Sequence, residues 1–452
     1  MCPGAVGRAE NPVGSLRLHP SASTGEDVPR GRLRKGDHLQ SLAPNPFHFF
    51  TGIDWGSQRH RVCLLNREGI LMEERWIDHS GSSLADLVSW LRTQTAVSPG
   101  EIAVAIEIPR GSIVETLLEQ GFAVFSLNPK QLDRFRDRYS PAGAKDDSRD
   151  AWVLADSLRT DLHCFRALRM DDPTLLRLRE LSRLEDDIAQ EQNRLSNQLW
   201  EQWHRFFPQL LQLSPAADEP WVWELFRAAP LPAQAAKLSG NRIGRILSRH
   251  RIRRLDAQEV QEALRSTPLT LASGAAEAAS EHALLLLPRL DLLHQQRAEI
   301  ARRVQALLDE LAAPGEATGP SEHRDAAVLL SLPGVGRQIA ATMLSEASQA
   351  IAERDYHALR CYAGSAPITQ QSGLKTTVRM RRGCNERLRS ALYHWSRVSI
   401  TCDPRSKKLY KEMRARGHSH GRALRGMADR WLAILMSMLR HRTLYDPKRR
   451  PA

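Results

Sequence analysis

Short apolar runs and turns alternate from Phe47 onward. Residues 49–54 (FFTGID) form an apolar run that ends on an acid. Residues 61–65 and 70–76 read as two further strands, joined by a turn at 66–69. Helical spacing covers about 84–91, and a buried-strand run at 102–106 ends at Glu107. Residues 113–118 read as helix, 122–127 as strand and 147–158 as helix. Three strands in succession, then helix alternating with strand, predict a mixed sheet covered by helices.

The pattern then becomes helical. Within about 173–207, Leu181, Leu184, Ile188 and Leu195 recur at heptad-like spacing, and a later stretch carries Ile300, Val304, Leu307 and Leu311. Two such amphipathic helices can pair as a coiled coil within one chain or between chains. Residues 216–281 are mixed, 314–320 read as a linker, and about 325–445 read as a basic helical domain. Inside it, Leu332-Pro333-Gly334-Val335-Gly336 precedes a helix at 337–346, the shape of a helix-hairpin-helix element. There Gly334 and Gly336 would free backbone N–H groups for a phosphate. A plain helix–helix turn reads from the same residues. Residues 1–46 are rich in Pro, Gly, Ser and Arg without a sustained period and read as a disordered extension. The expected division is 1–46, an α/β domain at 47–165, a helical coiled-coil region at 170–320, and an all-α basic domain at 325–446.

Composition narrows the function. At 452 residues the chain has room for two or three domains. No apolar run approaches the roughly 18 residues of a spanning helix, which excludes an integral membrane protein. No secretory leader is evident. Six cysteines without a CxxC pair argue against thiolate zinc or a disulfide scaffold, so a cytoplasmic location is expected. The net charge of +12 is unevenly placed: residues 371–452 hold 21 basic and 5 acidic side chains. That excess reads as a surface for a polyanion.

The acids read differently. Asp54 closes the first strand and Glu107 the fourth, so neighbouring strands would project both carboxylates from one sheet edge. Asp147 and Asp150 are three apart and share a helix face. Four converging carboxylates repel unless cations lie between them, and hard oxygen donors suit Mg²⁺. Singly, each acid also has an ordinary role, as a strand end or in a first helical turn. Asp156 lies about 240° round the helix from Asp150 and is left out. Ser372 sits in a polar loop, Gln371-Ser372-Gly373, with Lys375, Arg379, Arg381 and Arg382 just downstream. Such cations can hold a phosphate near a nucleophilic hydroxyl. Asn385 then reads as the N-cap of a helix that carries Arg387 and Arg389.

Together these residues resemble the DEDD-type insertion-sequence transposases, recombinases paired with a structured noncoding bridge RNA. The likeness rests on Gly52-Ile53-Asp54, Glu107 and Lys145-Asp146-Asp147-Ser148-Arg149-Asp150-Ala151. It continues through Leu332 to Gly336, Tyr362-Ala363-Gly364, Pro367, Ser372-Gly373 and Asn385-Glu386-Arg387-Leu388-Arg389. The resemblance implies a ribonuclease-H-like domain of the Holliday-junction-resolvase type, with Asp54, Glu107, Asp147 and Asp150 holding Mg²⁺. It further implies Ser372 as nucleophile, a phosphoserine–DNA intermediate, guide RNA and DNA as partners, and a homo-oligomer, dimer or tetramer, that builds composite sites. The chain departs from the family at Asp146, where Thr is usual, at Ile108-Pro109-Arg110 after Glu107, and at Cys384, where Gly usually precedes Asn385.

Rival readings remain at this stage. A junction-resolvase-like nuclease would use metal-activated water and dispense with Ser372. An actin-like sugar kinase or ATPase shares the Gly52-to-Ser57 loop, but its second phosphate loop and adenosine segment are not found. A catalytically dead nucleic-acid-binding protein would not need the acids.

Overall fold

The computed structural model describes residues 45–139, 146–170, 172–314, 323–373 and 375–449. Residues 1–44 of the proposed extension and 315–320 of the linker fall outside them. The chain divides into two compact units, Met1–Leu168 and Arg169–Ala452.

The first unit is built on a six-stranded sheet. Its strands are β1 (Phe49–Asp54), β2 (Arg59–Asn66), β3 (Leu71–Asp78), β4 (Ile102–Ile106), β5 (Ala123–Ser126) and β6 (Arg166–Ala167). They lie in the order β3-β2-β1-β4-β5-β6. The β1–β2–β3 meander is antiparallel, β1–β4–β5 is parallel, and β6 returns antiparallel. The helices are α1 (Gly81–Thr95), α2 (Ser112–Glu119), α3 (Pro129–Tyr139) and α4 (Asp147–Thr160). Helices on both faces explain why β4, IAVAI, is buried throughout instead of alternating. One face packs Ile53, Val62 and Val104 with Leu87, Leu91, Ile113 and Leu117. The other packs Phe50, Cys63, Ala103 and Ala105 with Ala151, Leu154 and Leu158. This mixed sheet matches the sequence expectation. Two elements were not anticipated there, α3 and the two-residue β6.

The second unit is mostly helical. Helix α5 (Pro173–Phe206) and helix α11 (Ala275–Ala312) are its longest. They run antiparallel within the chain: Thr174 Oγ1 meets Glu310 at 3.1 Å, and Arg297 donates to Gln192 at 2.8 Å. On α5 the buried positions include Leu178, Ile188, Leu195 and Leu199, whereas Leu184 of the expected seam is 46% exposed. Between these helices stand α6 (Gln209–Leu213), α7 (Pro220–Ala228), α8 (Pro232–Ala235), α9 (Gly240–Arg249) and α10 (Ala257–Arg265). Then follow α12 (Asp325–Leu330), α13 (Arg337–Glu346), α14 (Ser348–Ala352) and α15 (Tyr356–Tyr362). A hairpin of β7 (Ile368–Ser372) and β8 (Lys375–Arg379) leads to α16 (Glu386–Cys402), α17 (Pro404–Ala415) and α18 (His420–His441). The C-terminal part is therefore not all-α, since β7 and β8 pair antiparallel. One continuous apolar core joins α5 to α18 through Trp203, Trp221, Trp223, Trp395 and Trp431. No helix of the described residues is long and apolar enough to cross a membrane.

Candidate active site

Asp54 and Glu107 share an edge because β1 and β4 are parallel neighbours with Ile53 opposite Ile106. They also share a face. Side chains alternate along a strand, and Phe50 on β1 with Ala103 and Ala105 on β4 pack on the α4 side. Counting in twos from them brings Asp54 and Glu107 to that same side. Asp147 opens α4. Asp54, Glu107 and Asp147 accordingly line one cavity of about 290 Å³, with Trp55, Gly56, Arg59, Trp76 and Ile108.

Two contacts fix α4 there. Gly52 backs onto the helix so closely that an added Cβ would stand 1.9 Å from the Ala151 carbonyl oxygen. Across the first turn, Arg61 pairs with Glu74 at 2.6 Å and donates to Ser148 Oγ at 3.1 Å. Ser148 in turn donates to Glu74. That hydroxyl, with Arg61, holds the Glu74 carboxyl below its usual range against a smaller push from burial. Arg61 is the register partner of Asp54, so this network ties β1, β2, β3 and the start of α4 together.

Asp150 does not join the cavity. Its side chain is fully buried and meets Arg136 of α3 in a bidentate pair, Oδ1 to Nε at 2.5 Å and Oδ2 to Nη2 at 2.8 Å. Its two oxygens are thus engaged, and three carboxylates rather than four face the opening. Asp156 is likewise committed, accepting from Tyr139 at 2.5 Å and from Arg159 at 2.7 Å. Of the Lys145-to-Ala151 motif, Lys145 lies outside the described residues.

An all-oxygen donor set from Asp54, Glu107 and Asp147 suits a hard divalent cation. Among the described residues no three acidic, His or Cys side chains are yet gathered tightly enough to ligate one ion. The chemistry of the donors fits Mg²⁺; binding would require these side chains to draw together. Trp55 and Trp76, 37% and 41% exposed, stand at the rim. Arg59 lies over Trp76 at 4.1 Å from the ring centroid. Behind Trp55, the Gly56 N–H donates to Nδ1 of buried His60, whose Nε2 lies 3.0 Å from His79 Nδ1. Because a backbone donor occupies Nδ1, the proton sits on Nε2. Burial, with His79 adding to it, holds the His60 pKa below its ordinary value.

In the second unit, Ser372 ends β7 opposite Lys375, at the exposed tip of the hairpin rather than in a loop. Gly373 follows with φ of +56°, the left-handed conformation a tight hairpin turn demands. Lys375, opposite Ser372, is exposed; Arg379, at the base of the hairpin opposite Ile368, and Arg382 are also exposed, and Arg381 is half-buried. Arg387 and Arg389 behave otherwise. Arg387 pairs with Asp186 at 2.6 Å and donates to Ser182 at 3.0 Å; Arg389 pairs with Glu386 and donates to the Arg381 and Arg382 carbonyls. Both, expected as nucleic-acid contacts, are engaged within the chain around α16. Asn385 caps α16, accepting from Arg387 N and Leu388 N, and donates to Glu346 at 2.9 Å. Burial pushes the Glu346 pKa up, but the Arg183 and Asn385 hydrogen bonds outweigh it and hold the carboxyl below its usual range.

Gly334 has φ of +84° and packs on α16, where an added Cβ would lie 3.0 Å from Ser399 N. Its neighbour Pro333 accepts from Trp395 at 3.0 Å. Gly336 is the exposed N-cap of α13. Gly334 thus seats the turn against α16, and of the two glycines only Gly336 offers open backbone.

The chain is similar to known transposases. A DEDD-type transposase family model of the IS110 group matches residues 51–208, and one described as transposase IS116/IS110/IS902 family matches residues 326–411. A Sinorhizobium fredii protein named as a transposase, y4uE, is 49% identical over 211 residues, 46% of this chain and 59% of that protein. A Streptomyces coelicolor protein named as the mini-circle transposase for IS117 is 30% identical, covering 88% of this chain and 96% of its own length. The 43.6 kDa protein of insertion element IS110 from the same organism is 28% identical with the same coverage.

Proposed function

The chain belongs to the IS116/IS110/IS902 family of transposases, DNA strand-transfer enzymes, and from that membership we propose how its residues divide the work. Asp54, Glu107 and Asp147 hold Mg²⁺, while Asp150 acts as a positioning residue through Arg136. The observation that carries this reading is that the three acids, from three separate elements, line one cavity. When bound, the metal supplies charge neutralisation at the phosphate under attack.

The protein's own residues do the rest. Arg61, Glu74 and Ser148 set the first turn of α4, and with it the direction of Asp147. Trp55, Trp76 and Arg59 offer π faces and a cation to an unstacked base beside the reacting phosphate. Ser372 attacks phosphorus through Oγ, forming a phosphoserine ester as the strand's leaving oxygen departs with a proton. Lys375, opposite it at the hairpin tip, neutralises the phosphate, and the exposed Arg379 and Arg382 add positive charge along the same segment. Reversal onto a new strand end exchanges the strands. We further assign target choice to base pairing with a structured RNA, and composite sites to a homo-oligomer in the cytoplasm.

The test is strand exchange on the element's ends by Asp54→Asn, Glu107→Gln and Asp147→Asn, with and without EDTA. Each substitution, and EDTA on the parent protein, should abolish exchange while DNA remains bound. Exchange surviving in EDTA removes the metal assignment.

A further inference from the structure

Residues 239–254 contain six arginines and no acid. They lie in the helical insert between α5 and α11, well away in sequence from the basic C-terminal segment. On α9, Ile243, Ile246 and Leu247 are buried, which turns Arg242, Arg245 and Arg249 outward. Spaced three and four apart, they share one face over about 10 Å of helix. Together with Arg227 of α7 they line a groove of about 400 Å³, where Glu224 is the only acid among the described residues. Glu224 is already engaged by Arg249 and by His250 at 2.8 Å, and Arg227 reaches out to Asp291. Arg242 and Arg245 make no ion pair or side-chain hydrogen bond among the described residues, and both are exposed.

Packing therefore spends the apolar side of α9 and leaves its guanidinium side unspent. Arginine pairs with phosphate through two parallel N–H donors and holds its charge at any working pH. No aromatic side chain lines the groove, so it has nothing to stack bases on. We infer that this groove binds the phosphate backbone of duplex DNA, as a second contact that anchors the substrate without reading its sequence. DNA is the partner because transposases act on DNA, and the choice rests on the function proposed above. None of these residues lines the carboxylate cavity or belongs to the β7–β8 hairpin, so the contact can fail while those assignments hold.

The test uses the full chain and two labelled probes, a random-sequence DNA duplex and a random-sequence RNA hairpin, titrated across a salt series. R242Q/R245Q is compared with R302Q/R303Q, which removes the same charge from exposed residues of α11 that already face Glu299. Losing two phosphate contacts should lower the slope of log affinity against log salt by about two and weaken duplex binding roughly tenfold at moderate salt. R302Q/R303Q should leave both near the parent values. R242K/R245K restores the charge and should recover the slope, which separates lost contacts from misfolding. Equal behaviour of the two glutamine variants toward the duplex overturns the inference. A loss confined to the RNA hairpin overturns the DNA assignment.

Discussion

Gly52 and Ala151 touch backbone to backbone: a Cβ on Gly52 would sit 1.9 Å from the Ala151 carbonyl oxygen and 2.7 Å from the Ala155 amide nitrogen. This contact is what lets α4 lie directly on β1 and brings Asp147 beside Asp54. Even one methyl group overlaps main chain rather than a flexible side chain, so α4 must move outward. Gly52→Ala should cost about 1–3 kcal/mol or more and abolish strand exchange. Urea unfolding of the first unit's signal, read beside the exchange assay, checks both; an unchanged midpoint would show that α4 is not seated by this glycine.

The Asp150–Arg136 pair separates a positioning role from a metal-binding one. Removing one partner of a buried pair leaves the other uncompensated, at a cost of about 3–5 kcal/mol. Arg136→Met should therefore destabilise the protein strongly, and Asp150→Asn clearly, though less. Asp54→Asn, at the lining of the cavity and not in a buried bidentate pair, should shift the unfolding midpoint less than Asp150→Asn. If Asp54→Asn and Asp150→Asn unfold alike, the two carboxylates do not differ in role as assigned.

His60 gives a signed pH dependence. Its pKa is lowered in the folded protein, so above the ordinary value near 6.5 both folded and unfolded forms are neutral. As pH falls below that, the unfolded chain takes up a proton first, and stability declines until the folded-state pKa is reached. His60→Gln should flatten the fall in melting temperature over that interval relative to the parent protein. A steeper or identical fall would mean that burial and His79 do not lower the His60 pKa in the folded protein.

Trp76 and Arg59 test the rim of the cavity. Trp76→Ala removes a ring that Arg59 covers at 4.1 Å, on an exposed edge strand, so the fold should survive. Affinity for single-stranded DNA should drop by about 1–3 kcal/mol if a base stacks there. Fluorescence anisotropy with a poly-thymidine probe reads this directly, and unchanged affinity would leave the ring a mere cover for Arg59.

Much of this site was legible in the chain. Runs of apolar residues at 49–54 and 102–106 end on acids, and the parallel pairing of β1 with β4 places those acids together. The rest depended on contacts that spacing does not carry. Helix α3, PKQLDRFRDRY, buries only Leu132, so it has almost no periodic apolar signal, and with it the partner of Asp150 stayed hidden. The β7–β8 hairpin, ITQQS and KTTVR, is exposed on nearly every residue and shows no alternation of apolar and polar positions. Arg387 looked like part of a cationic cluster because Asp186, which neutralises it, stands 201 positions earlier on α5. The arginines of α9 were diluted in the overall charge count by the acids around them. Gly52 was visible as part of a motif, but only the packing of α4 shows why no side chain fits there.

The most direct measurement is a denaturing gel of the full-length protein incubated with its element-end DNA, transcribed flanking RNA and Mg²⁺. A denaturation-resistant protein–DNA band is expected for the parent chain, with none for Ser372→Ala, although the latter should bind DNA equally well because Ser372 is exposed. A band that persists in Ser372→Ala, or cleaved DNA with no covalent band in the parent, would contradict the serine mechanism and make water the nucleophile.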